Sequence, residues 1–85
     1  MNNELRNFKV TDRQSFIMFL EMLHKDFLEY PETWENKTVE TFLDALHDWA
    51  EGAKAYYKNT KQPINADEPS WRIFSDMLIG ASIYE

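Results

Sequence analysis

Cysteine is absent from the 85 residues, which excludes a disulfide framework, a thiolate metal site and a Cys nucleophile. Glycine is almost absent as well. Gly52 and Gly80 stand alone inside helical patterns, so no glycine-rich phosphate loop can form. No stretch approaches the ~20 apolar residues of a membrane-spanning helix, and Met1 to Val10 lacks the apolar run of a signal peptide. Together these absences predict a cytoplasmic protein. Valine and isoleucine are sparse, and apart from Asn7 to Val10 no run alternates with period two, which argues against a sheet.

Positive charge is also scarce. Nine Lys and Arg stand against fifteen Asp and Glu, for a net charge of −6. From Asp26 to Glu51 there are eight acids (Asp26, Glu29, Glu32, Glu35, Glu40, Asp44, Asp48 and Glu51) and the single Lys37, a net of −7 that leaves +1 for the rest of the chain. Such a field repels phosphate backbones and anionic lipid headgroups and attracts a basic partner.

What the chain does contain is aromatic. Three Trp, four Tyr and six Phe offer a large apolar payload to a domain whose length implies burying roughly 64% of its unfolded surface. Their spacing is helical. Thr11-Asp12-Arg13-Gln14 reads as a capping box opened by Thr11, after which Phe16, Leu20, Leu23, Phe27 and Tyr30 form one stripe. Pro31 disfavours helical geometry at Tyr30 and ends that helix. Trp34, the only large apolar residue of the following connection, is expected to fold down as a lid. Asn36 or Thr38 can then cap a second helix whose face is Leu43, Leu46, Ala50, Ala53 and Tyr57, widened by Phe42, Trp49 and Tyr56. Residues 59–69 fit a loop, and Ser70 caps a third helix that is apolar nearly all round and therefore buried on several sides. The expectation is an all-α protein, one compact three-helix bundle spanning residues 1–85. Its helices fall at about 12–30, 38–58 and 70–84, with an arm over 1–11, and Leu46 and Leu78 mark the centres of their stripes.

No constellation of catalytic residues emerges. Ser15, Ser70, Ser75 and Ser82 lie in or at the start of helices without a glycine elbow beside them, which leaves no presented nucleophile. Asp44, His47, Asp48 and Glu51 share the side of one helix at metal-ligand spacing, yet the other helices offer only His24 and Asp76 as matching ligands. Tyr56 and Tyr57 beside Lys54 and Lys58 mimic a single-strand binder, but the same tyrosines extend the core stripe. The expected protein is thus not an enzyme and has no cofactor, no metal site and no nucleic-acid or membrane partner. Met18 and Met22 lie one turn apart on the polar side of the first helix, either as an adaptable contact surface or as residues covered by the arm or the lid.

Several of these segments form a recognisable set: Trp34-Glu35-Asn36, Phe42-Leu43-Asp44-Ala45-Leu46-His47-Asp48-Trp49, Tyr56-Tyr57, Pro69-Ser70-Trp71-Arg72-Ile73-Phe74 and a closing Tyr84-Glu85. From Thr11 to Glu85 the chain resembles a family of short, acidic bacterial proteins classed as a domain of unknown function. The resemblance implies a bacterial, cytosolic, helical protein and assigns no catalytic residue. Some small acidic bacterial proteins of this kind are similar in size and charge to immunity proteins, which neutralise a toxin by binding it.

Three functions compete at this point. A non-enzymatic binding module would present Glu40, Asp44, Asp48 and Glu51 to a basic protein, with complementary charge speeding association and selecting the partner. A structural or regulatory homo-oligomer would join through Met18 and Met22 or through the third helix. A small-ligand or metal-binding protein is the third alternative.

Overall fold

Local capping chemistry sets each helix start. In the computed structural model, which describes residues 1–84, the chain forms α1 (Asn3–Asn7), α2 (Arg13–Glu29), a single 3-10 turn (Pro31–Thr33), α3 (Val39–Asn59) and α4 (Trp71–Ile83). Glu85, the last residue of the expected domain and of the closing Tyr84-Glu85 pair, lies outside the described residues. No strand occurs among the described residues. Asp12, not Thr11, caps α2: its carboxylate accepts from Ser15 N at 2.8 Å while the Ser15 hydroxyl accepts from Asp12 N at 3.0 Å. Hydrogen bonding from the Ser15 backbone N–H, and then from its side chain, holds the Asp12 carboxyl below its ordinary value. Thr38 and Thr41 close the same reciprocal box at the start of α3, and Ser70 accepts from Ile73 N at 3.1 Å to begin α4. The arm expected over residues 1–11 contains α1, capped by Asn2 through Leu5 N at 2.8 Å.

α4 packs between α2 and α3 and contacts both, although Trp71 and Phe74 in its first turn stay 37% and 38% exposed. Apart from Ile73, its fully buried residues are small. Ser75, Gly80, Ala81 and Ser82 are buried, and the two serines satisfy their hydroxyls on the backbone of their own helix at Arg72 O and Leu78 O. At Gly80 the Trp49 side chain of α3 leaves no room for a side chain, because a Cβ there would overlap the indole. The smallest extent of the molecule, 19 Å, matches two helix layers at about 10 Å each.

Two apolar clusters fill this frame. One gathers Leu5, Val10, Phe19, Leu23 and Trp34 around α2 and the other joins Ala53, Tyr57 and Ile73 between α3 and α4. Phe19 and Tyr57, each 1% exposed, are the largest of the almost completely buried side chains, and burying such a group contributes about 1.5–3 kcal/mol. The Tyr57 hydroxyl donates to Asp76 Oδ2 at 2.6 Å, tying α3 to α4. Burial, and then that bond to a carboxylate, push the Tyr57 phenol up.

The Trp34-Glu35-Asn36 segment is a structural clamp. Trp34 folds down as expected and sits between Phe27 of α2, edge-on with ring centroids 5.0 Å apart, and Phe42 of α3, stacked at 6.5 Å. Its Nε1 donates to the buried Asp26 Oδ2 at 2.8 Å, and Asp26 Oδ1 accepts from Asn2 N at 3.2 Å. Glu35 N and Asn36 N then donate to Ser82 O, and Asn36 Nδ2 donates to Ala81 O and Tyr84 O. Carbonyls left over at the end of α4 therefore find their donors in the lid. Asn36 serves this end of α4 while Thr38 caps α3.

The buried face of α2 is rotated from the expected stripe. Phe19, Leu23 and Asp26 are buried, whereas Leu20 is 39% and Tyr30 44% exposed. The reason is α1, which covers the flank of α2 that a carboxylate at position 26 makes look polar. On α3, Leu43 is 55% exposed, and Leu46 is half-buried while its neighbour Ala45 is buried. Leu78 is likewise half-buried, at the edge of the first cluster.

Candidate protein-binding face

Thr38 starts α3 in a register that sends Glu40, Asp44, Asp48 and Glu51 to one exposed flank, as their i, i+4 spacing expects. None of the four is ion-paired to a Lys or Arg among the described residues. The Lys and Arg ion pairs among the described residues lie elsewhere, with Lys25 on Glu29, Lys54 on Asp67 and Arg72 on Asp76. All four residues are exposed to solvent.

His47 sits among them, bridging two. Its Nδ1 lies 3.1 Å from Asp48 Oδ1 and its Nε2 3.2 Å from Glu51 Oε1. The Asp48 hydrogen bond, then the Glu51 charge, raise the His47 pKa above its ordinary 6.5, with Asp48 and Asp44 adding to the field. The i+4 spacing to Glu51 was the sequence signal for this contact. Among the described residues no group of three or more His, Asp or Glu side chains is arranged to hold a metal ion.

An apolar bank borders the acidic flank. Val39 is 76% exposed and Leu43 55%, and both face a shallow groove of about 380 Å³ between α2 and α3. Leu20, Phe27 and Trp34 line its other parts, and Lys37 and His24 stand at its rim. Sequence periodicity places Leu20 and Leu43 in the core, so this groove is a feature that only the packing reveals.

Met18 and Met22 are separated by the fold. Met18 is 48% exposed, while Met22 packs, half-buried, against the cluster containing Leu5 and Val10. Asp26, counted with the acidic stretch, is 2% exposed and contributes no surface charge. Among the described residues no helix is long and apolar enough to cross a membrane.

No curated protein and no solved structure matches the chain. One family model does, and it covers the lid and all three long helices while leaving out α1. Matched over residues 12–85, the chain belongs to the family of unknown function DUF7660.

Proposed function

We propose that this protein is a non-enzymatic binding module that docks a basic protein on the acidic flank of α3. The observation that carries this reading is the set of four exposed carboxylates, Glu40, Asp44, Asp48 and Glu51, none held by a Lys or Arg of the described chain. Like charges one turn apart weaken an isolated helix by about 0.2–0.5 kcal/mol per pair, so local stability does not account for them. Val39 and Leu43 beside them supply the apolar contact that gives a charged interface its dwell time, while the charges steer encounter. An immunity-like role, in which the partner is a basic toxin, is one form of this reading.

The test is capture of proteins from native lysate by the wild type and by a variant carrying Asp44→Asn, Asp48→Asn and Glu51→Gln. The reading expects a basic protein retained by the wild type at low salt and lost by the variant. Equal retention by both would remove the α3 flank from consideration.

Self-association is the second reading, favoured by the same exposed Val39 and Leu43 and by the groove they border. Two copies joined there would bring like-charged flanks together, which is why the basic partner is preferred. Sedimentation across a concentration range separates the two readings.

A further inference from the structure

Both glycines of the chain line one cleft, on a different flank of α3 from the acidic residues. The cleft holds about 540 Å³, in the size class of small-molecule sites. Trp49, Tyr56, Ile79, Ile83 and Tyr84 wall it, and Arg6 and Asp76 are its charged groups. The two glycines differ in what they explain. Gly80 is required by the chain itself, because the Trp49 indole lies against its Cα. Gly52 is not: a Cβ there would meet nothing within 4 Å, and a glycine in the middle of a helix costs stability relative to alanine. It sits three residues after Trp49 and four before Tyr56, whose rings lie 5.5 Å apart at 52°, and it leaves the wall between them without a side chain.

The polar groups set the ligand's chemistry. Asp76 already accepts from the Tyr57 hydroxyl at 2.6 Å and pairs with Arg72 Nε at 3.6 Å. Arg6 makes no ion pair among the described residues, so the charge that remains to be matched is positive. From these observations we infer that the cleft binds a small aromatic carboxylic acid, its ring against Trp49 and Tyr56 and its carboxylate on the Arg6 guanidinium. Gly52 keeps the space for that ring. The site does not depend on the α3 acidic flank, so either can fail alone.

The experiment is an amide and indole NMR titration of the full chain with phenylacetate, 4-hydroxyphenylacetate and indole-3-acetate, each to about 10 mM. At least one acid is expected to give saturable shifts at Gly52, Gly80 and the Trp49 indole N–H. Gly52→Leu, whose Cβ meets nothing within 4 Å and whose side chain would take up cleft space, should weaken that binding at least about tenfold while the unfolding midpoint holds or rises. Arg6→Gln should weaken the acid about fivefold or more and leave the corresponding neutral amide unaffected. Absence of saturable shifts with all three acids would overturn the inference, as would wild-type affinity in Gly52→Leu.

Discussion

Asp26 and the acids of α3 belong to one acidic stretch of sequence and have opposite fates. Asp26 is 2% exposed and accepts from Trp34 Nε1 and Asn2 N, joining α2, the lid and the segment that leads into α1. Glu40, Asp44, Asp48 and Glu51 stand in water with only His47 for company. Burying a carboxylate costs several kcal/mol, and neutral donors must repay it. Removing that acceptor strands two donors, whereas removing an exposed carboxylate strands none. Charge counted along a sequence merges these roles, and only the positions of the donors separate them.

The comparison is broken most forcefully at Asp26. Asp26→Leu leaves the Trp34 indole N–H without an acceptor and should cost about 2–4 kcal/mol in denaturant melts, with Asp26→Asn losing less because one acceptor remains. A loss below about 0.5 kcal/mol for both would place Asp26 with the solvated acids. Asp76 sharpens the contrast as an intermediate case, its side chain 25% exposed. Tyr57→Phe deletes its hydroxyl donor and should cost about 1–2 kcal/mol, read in the same melts. The combined Asp44→Asn, Asp48→Asn and Glu51→Gln variant should lie within about 0.5 kcal/mol of the wild type, or slightly above it as like-charge repulsion is relieved. The smallest effect is on His47. Its folded-state pKa is raised, so its contribution to stability is fully present below the ordinary 6.5 and is lost as pH rises through the folded value. Imidazole proton shifts should show His47 titrating above 6.5 in the wild type and lower in the triple variant, where Asp48 and Glu51 no longer carry charge.

The long helices were legible because their boundaries are chemical. Pro31 stops α2, Thr38 and Ser70 cap α3 and α4, and the structure ends the three helices at residues 29, 59 and 83. Trp34 was legible as a lid because no other large apolar residue lies near it. α1 was not, since five residues with Leu5 alone buried carry no periodicity. Missing α1 misplaced the buried face of α2, because Asp26 looks like a solvated position until the donors above it are seen. Asn36 reads as a helix cap from its neighbours, while its partners lie 45 and 48 residues away. At the candidate site the carboxylates could be read directly, and the groove could not: Leu20 and Leu43 have the spacing of core leucines, and α4 between α2 and α3 is what leaves them in the open.

The most direct test is the affinity of the captured basic partner for the wild type, for the triple α3 variant and for Asp26→Asn. It is measured from about 0.02 to 0.3 M ionic strength at a temperature where all three are folded. The account predicts that the triple variant binds more weakly at low salt and converges on the wild type as salt screens the flank, while Asp26→Asn follows the wild-type curve throughout. Superimposed curves for the wild type and the triple variant, or a low-salt loss confined to Asp26→Asn, would contradict it.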